Sequence, residues 1–269
     1  YRKLCEMVPR SELMRIQEEL ASTSGVTAIV YIQTCAAEKR RRRKRGLFPD
    51  PNRRIFINSE VCEGCGDCGV QSNCVSILPE ETELGRKRKI DQSSCNKDFS
   101  CVSGFCPSFV SVIGAEIKKK TTEQLKLPNV PDITPPSINK THNIVVTGIG
   151  GTGVVTIGAL LGMASHIEGK GAGVMEMAGL AQKGGAVHIH CRIANSPEDI
   201  SVVRVASGEA DTLIGGDLLV TAGDKTLSLL KRDKSNVVCN DVEAITGEFT
   251  RDTEFNLPTD GMKLALNAK

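Results

Sequence analysis

The chain has 269 residues, room for two domains, and its net charge of +2 at pH 7 singles out neither an acidic nor a nucleic-acid partner. Aromatic residues make up 3% of it, with no Trp, so any core must rest on Val, Ile, Leu, Ala and Met. No apolar run reaches the roughly 18 residues of a membrane span, and no stretch reads as a signal peptide.

The pattern is helical from the start. It begins at Tyr1 without a methionine and predicts a helix over Ser11–Ala21, followed by a strand, "VTAIVYI", over Val26–Ile32. The charge run Lys39–Arg45, "KRRRRKR", has no interleaved aromatic residues and is read as a solvated or interdomain basic segment. It could also face an anionic cofactor tail or an acidic electron carrier. A cysteine-rich region spans 58–117, and "PEETELGRKRKIDQSS" inside it reads as a hairpin insertion. Residues 118–141, rich in Pro, Lys and Thr, read as a linker. From His142 onward strands and helices alternate. "NIVVTG", "GVMEM", "AVHIHCRI", "DTLIG" and "VVCN" are predicted strands. "VVTIGALLGMASHIEG" and "LLVTAGDKTLSLLKR" are predicted helices. That alternation predicts a mainly parallel, Rossmann-like α/β domain over 142–269. No repeat at solenoid spacing is visible. The chain stops soon after a strand-like element, at "KLALNAK", and is expected to be a piece of a longer polypeptide.

Seven of the eleven cysteines fall between Cys62 and Cys106. A secreted disulfide scaffold would be small, so thiolate metal ligation in a reducing cytoplasm is the expected use. Zinc modules separate two C-x2-C pairs by about a dozen residues. Here Cys62, Cys65 and Cys68 form a continuous C-x2-C-x2-C, which suits three corners of a cubane. In two-cluster ferredoxins the fourth thiolate comes from a distance and often precedes a proline, as Cys106 precedes Pro107. Cys62, Cys65, Cys68 and Cys106 are therefore assigned to one [4Fe–4S] cluster. Gly64, Gly66 and Gly69 let backbone N–H groups approach the sulfurs.

Cys95, Asp98 and Cys101 repeat the three-beat spacing with a carboxylate at the middle beat, and Cys74 would be their remote partner. Three roles stand open for Asp98. It binds the fourth iron, it leaves that corner open so that the site is labile or [3Fe–4S], or it is a solvated loop residue. The intervals after each run, five residues before Cys74 and four before Cys106, exceed the usual three.

"GIGGTG", Gly148–Gly153, follows an apolar strand and opens a helix, the pattern of a phosphate-binding turn through Gly148, Gly150, Gly151 and Gly153. Glu176 is placed as the acid a dinucleotide ribose would need. A turn without ligand is the plainer alternative. "GLAQKGGAVHIH" offers a second loop, where Gln182, Lys183, Gly184 and Gly185 can present N–H groups and a cation. His188 and His190 share one side of a strand and read as core or surface residues. Cys191 and Cys239 read as small buried hydrophobes. Cys35 sits at a strand end, more plausibly packing than site.

In their order, "QTCAAEKRRRRKRG", "CEGCGDCGVQSNC", "SSCNKDFSCVSGFCPSF", "GIGGTGVVTIGALLGMA" and "GLAQKGGAVHIH" resemble the C-terminal part of the fused indolepyruvate ferredoxin oxidoreductases, within the 2-oxoacid:ferredoxin oxidoreductase superfamily. The resemblance covers essentially the whole chain. It implies that residues 1–57 are the tail of a thiamine diphosphate-binding domain, 58–117 a two-cluster ferredoxin-like iron–sulfur domain, and 142–269 a truncated gamma-type domain. It further implies decarboxylation of an aryl 2-oxoacid such as indolepyruvate at thiamine diphosphate and Mg²⁺. Coenzyme A would take the acyl group and ferredoxin the electrons. The G-D-G…N thiamine motif is not found here, so that cofactor would be held mainly by upstream sequence. By the same analogy Gly148–Gly153 and Gln182–Gly185 would face the cofactor or coenzyme A, not NAD. A homo-oligomer is expected, made with the rest of the same polypeptide, with neither nucleic acid nor membrane as partner. The competing readings are a flavin- or NAD-linked iron–sulfur reductase subunit using Gly148–Gly153 and Glu176, and a zinc-stabilised nucleic-acid module.

Overall fold

A computed structural model describes residues 5–115, 137–138, 140–179 and 184–269. A short 3-10 turn, Arg10–Glu12, leads into helix α1, Leu13–Ser22, as the amphipathic pattern predicts. The strand expected at Val26–Ile32 does not form: the segment is irregular, with Val26, Val30 and Ile32 largely exposed. β-branched residues make a strand only against a partner edge, and no described strand pairs with this one. The basic run is helical (α2, Ala36–Lys44), with Glu38 paired to Arg41 and Arg42.

The cysteine region is built from two antiparallel pairs. β1, Arg53–Ile57, and then α3, Asp67–Ser72, precede the hairpin of β2, Ile77–Thr82, and β3, Gly85–Ile90. A 3-10 turn, Ser100–Val102, and β4, Phe109–Ile113, complete it, with β4 returning to β1. The hairpin expected from the sequence is present. Of the expected linker, residues 118–136 and 139 lie outside the described residues.

The third unit is a five-stranded sheet. β5, His142–Ile149, runs into α4, Val154–Ile167. β6, Gly171–Ala178, and β7, Ala186–Ala194, follow, then β8, Thr212–Gly215, helices α5, Leu218–Thr221, and α6, Asp224–Leu227, and β9, Asn236–Cys239. The strand order is β6-β7-β5-β8-β9. Pairs β5–β8 and β8–β9 are parallel, whereas β5–β7 and β6–β7 are antiparallel. The sheet is therefore mixed, not mainly parallel. Only the seven residues 179–185 separate β6 from β7, and so short a connection turns the chain back instead of crossing over. The helix expected over "LLVTAGDKTLSLLKR" is broken in two at Gly223. A 3-10 turn, Gly247–Thr250, and α7, Thr259–Asn267, close the chain.

Strand alternation sends successive β5 residues to opposite faces. Ile144 and Val146 join Val154, Val187, Ile189 and Cys191 under α4. Val145 packs on the other face with Val205, Ala210, Leu213 and Leu230. Gly158 lets α4 lie close on the sheet, because a Cβ there would meet Ile189 Cγ2 at 2.5 Å.

Candidate metal centres and the glycine turn

The two cysteine loops are copies of one backbone plan. At the end of β1, Asn58 N donates to Ser108 O at 2.8 Å, the Asn58 side chain accepts from Glu60 N at 3.0 Å, and Cys62 N donates to Asn58 O at 2.9 Å. At the end of β3, Asp91 N donates to Ser76 O at 2.8 Å, the Asp91 carboxylate accepts from Ser93 N at 2.9 Å, and Cys95 N donates to Asp91 O at 3.1 Å. Two residues on, Gly64 N reaches Cys62 Sγ and Lys97 N reaches Cys95 Sγ, each at 3.4 Å. The left-handed positions also correspond: Gly64 (φ 74) and Gly66 (φ 83) against Lys97 (φ 52) and Phe99 (φ 61). Ser76 and Ser108, each two residues after a lone cysteine, are both buried. One offset thus relates Asn58 to Asp91, Cys62 to Cys95, Cys65 to Asp98 and Cys68 to Cys101. The sequence showed the three-beat spacing; the rest of the repeat is legible only as hydrogen bonds.

Electrostatic proximity sorts the thiols into two neighbourhoods. Burial pushes the Cys68 thiol up to about 11, opposed by the Gly69 N–H and the Arg88 guanidinium and reinforced by Cys62 and Cys65. Burial likewise pushes Cys101 up to about 11, reinforced by Cys74, Cys95 and Asp98. Cys95 is raised chiefly by burial, partly relieved by the Lys97 N–H, with Cys74 and Asp98 adding to the rise. Cys62, Cys65 and Cys68 are thus brought together, as are Cys74, Cys95, Asp98 and Cys101. Cys106 Sγ contacts Ser108 Oγ at 3.0 Å. Cys65 and Asp98, the two middle beats, are both exposed. Asp98 Oδ1 is engaged locally, accepting from Ser100 N at 3.2 Å and Ser100 Oγ at 2.9 Å.

Among the described residues no three His, Cys, Asp or Glu side chains converge closely enough to hold a single metal ion. The donor set nevertheless suits a wider, soft group. It is nearly all thiol, and each loop directs a backbone N–H at a sulfur, the contact that stabilises charge on cluster ligands. Gly64 is a close-approach site as well, since a Cβ there would lie 2.4 Å from Arg86 O.

The loops differ in what covers them. The C-terminal segment crosses the first: Arg86 donates to Phe255 O at 3.1 Å, Thr250 Oγ1 donates to Asn73 Oδ1 at 3.1 Å, and a Cβ on Gly66 would strike Thr253 Cγ2. Helix α2 backs the second: Arg40 Nη1 donates to Ser94 O at 3.3 Å, Arg43 to Asn96 O, and Lys97 Nζ pairs with Asp50 at 2.8 Å. The basic run therefore serves an interior contact through two of its arginines.

At the glycine turn, Gly150 N donates to Gly185 O at 2.7 Å and Gly184 N to Gly150 O at 3.4 Å, so the two glycine loops meet. Gln182 and Lys183 lie outside the described residues. Gly153 (φ 98) caps α4, and Gly151 (φ 93) is also left-handed. A Cβ on Gly148 would meet Val154 Cγ2 at 2.6 Å. Glu176 is not where a dinucleotide requires it. It pairs with Ile189, which pairs with Val146, so it sits mid-strand and two strands from β5. The antiparallel β7 intervenes, which removes the geometric basis of the NAD reading.

His188 and His190 are core residues, as expected. His190 is 1% exposed and its Nδ1 accepts from Val205 N at 2.9 Å, while His188 Nε2 meets Thr226 Oγ1 at 3.1 Å. Burial lowers both imidazoles. Cys191 is fully buried, whereas Cys239 is only half-buried, with its thiol directed at Asn240 O at 3.3 Å.

A mixed α/β domain thus follows a thiol-rich region of two matched loops. Residues 143–267 match the family model described as pyruvate ferredoxin/flavodoxin oxidoreductase. Over these residues the chain is similar to that family, a likeness consistent with the 2-oxoacid:ferredoxin oxidoreductase superfamily. It is similar to the indolepyruvate oxidoreductase subunit IorB of Thermococcus kodakarensis, with 37% identity over 75 residues, 28% of this chain and 36% of that protein. With the IorB subunit of Archaeoglobus fulgidus it shares 36% identity over 72 residues, 27% of this chain and 34% of that protein. The alignments span about a third of these relatives' length. Among solved structures it is similar to pyruvate oxidoreductase subunit PORC of Thermotoga maritima, with 20% identity, 42% of this chain and 55% of that chain covered, and a TM-score of 0.32.

Proposed function

We propose that this chain is the electron-carrying part of an indolepyruvate, or other aryl 2-oxoacid, ferredoxin oxidoreductase of the fused kind. The observation that carries the proposal is the internal repeat, which sets two thiol neighbourhoods in one small module next to a domain of the oxidoreductase family. In this reading Cys62, Cys65, Cys68 and Cys106 hold a first [4Fe–4S] cluster, because the repeat gives Cys106 the place by the first loop that Cys74 has by the second. Cys74, Cys95 and Cys101 hold the second, which is [4Fe–4S] where Asp98 ligates the fourth iron and [3Fe–4S] where Asp98 leaves that corner open. The bound clusters supply one-electron carriage. The chain's own residues deprotonate on ligation, point the Gly64 and Lys97 N–H groups at sulfur, and exclude water through Phe249, Thr250 and Thr253 on the first loop.

Decarboxylation at thiamine diphosphate and Mg²⁺, with coenzyme A as acyl acceptor, belongs to other parts of the polypeptide in this reading. Residues 1–269 alone are expected to show no turnover. The outer face of α4 leaves Leu160, Met163 and Ile167 exposed, as befits a domain that docks on others. Ferredoxin as acceptor, a cytoplasmic site and a homo-oligomer complete the proposal.

The test is iron and acid-labile sulfide per chain on anaerobically prepared protein, with low-temperature EPR. About eight irons, in two interacting reduced clusters, support two cubanes. About seven irons with a three-iron signal on oxidation leave the Asp98 corner open. A colourless protein containing zinc instead of iron would overturn the reading.

A further inference from the structure

Arg88, on β3, is 2% exposed, and none of the ion pairs formed among the described residues involves it. Its neighbour Arg86 pairs with Glu81, and Arg192 pairs with Glu209. Arg88 has instead two carbonyls, Lys87 O at 3.1 Å and Thr253 O at 3.4 Å, and the Phe249 ring, whose centroid lies 4.5 Å from the guanidinium carbon. These contacts satisfy N–H groups but do not neutralise the charge, and a buried unpaired charge is costly. Beside it is the first cysteine loop: Arg88 Nη2 would be 3.7 Å from a Cβ on Gly66. The cations beside the second loop are paired or less deeply buried: Arg40, which donates to Ser94 O, is only partly buried, and Arg53, over the Phe99 ring, is exposed. Lys97 and Arg43, next to it, both pair with Asp50.

We propose that Arg88 is the built-in counter-charge of the first cluster, favouring its reduced form and so raising its potential relative to the second. This rests on the reading of Cys62, Cys65, Cys68 and Cys106 as cluster ligands. Four thiolates leave the bound cluster anionic, and one electron accepted from 2-oxoacid oxidation makes it more so. That electron then passes to the ferredoxin acceptor and the cluster is reoxidised. Arg88 stays cationic throughout and transfers nothing; it weights the equilibrium, because net charge near a cluster sets its potential. Its position depends on Phe249 and Thr253, which belong to the oxidoreductase-family domain, so that domain would tune a cluster it does not ligate.

The test uses the full chain, prepared anaerobically, as wild type, Arg88→Lys and Arg88→Gln. Iron and sulfide are measured first, because a wild type without iron removes the cluster reading and this proposal together. With clusters present, EPR-monitored redox titration decides. Arg88→Gln is expected to lower the reduced-to-oxidised ratio of one cluster about tenfold at a given potential, a shift of about 59 mV for one electron, leaving the other unmoved. Arg88→Lys should retain most of the wild-type ratio. A fully loaded Arg88→Gln protein with unchanged potentials, or with both clusters shifted alike, overturns the proposal. So does an Arg88→Lys shift as large as that of Arg88→Gln. Should Arg88→Gln fail to hold the first cluster, retention by Arg88→Lys supports a charge role, and loss in both variants assigns Arg88 to packing and overturns it.

Discussion

The two cysteine loops follow one backbone path and enforce it by different means. The first uses composition, because Gly64 and Gly66 take the left-handed positions without steric cost. The second places Lys97 and Phe99 there, at a cost of order 1 kcal/mol each. It holds them with contacts: Lys97 to Asp50, and Arg53 over the Phe99 ring at 5.0 Å. The environments diverge as well. The first loop lies under the C-terminal segment with an unpaired buried cation; the second lies against helix α2, where Lys97 and Arg43 pair with Asp50 and Arg40 is only partly buried. A repeated framework can thus carry two sites with separately adjustable properties.

The largest expected break in that symmetry comes from Cys65→Ser. It should remove about half the iron, the first cluster's share, and leave the second cluster's EPR signal; unchanged iron and visible spectrum would sink the first assignment. Asp98→Cys runs the other way. Because Asp98 Oδ1 is held by Ser100, a thiolate at this beat is expected to add about one iron per chain. Equal iron in both proteins would mean that Asp98 already serves as ligand.

Gly64→Ala tests whether composition enforces the first loop. Its new Cβ would meet a backbone carbonyl at a positive φ, so a loss of about 1–3 kcal/mol is expected in thermal or denaturant unfolding. An unchanged midpoint would show that the first loop, like the second, is held by its contacts. In the metal-free protein both loops should respond alike to pH. Cys68 and Cys101 have folded values near 11, above the ordinary thiol value of 9.0, so the folded state binds protons more tightly there than the unfolded state. Their stabilising effect is complete below about pH 9 and fades as pH rises toward 11. Unfolding midpoints of the metal-free protein between pH 8 and 11 read it, and a flat profile would contradict the burial of these thiols. The smallest effect is expected from Asp50→Asn, which removes the partner of Lys97 at a half-exposed site. It should cost about 1 kcal/mol or less and spare the first loop.

The sequence by itself determined the two three-beat cysteine runs, the hairpin between them and the strand–glycine–helix unit at 142–167. Each is a local matter of ligand spacing, turn chemistry or side-chain period, and so can be read within a dozen or so neighbouring residues. Tertiary structure decided the rest. Val26–Ile32 has strand composition but no edge to join. β7 runs antiparallel because the chain after β6 turns back instead of crossing over, and this leaves Glu176 two strands from the glycine turn. Arg88 lies in an ordinary basic strand, "GRKRKI", and nothing local separates it from Lys87 or Lys89. Phe249 and Thr253, remote in sequence, pack on it and make it a buried charge beside the first cysteine loop. Burial and charge pairing depend on which distant segments meet, and that meeting has no signature in local sequence.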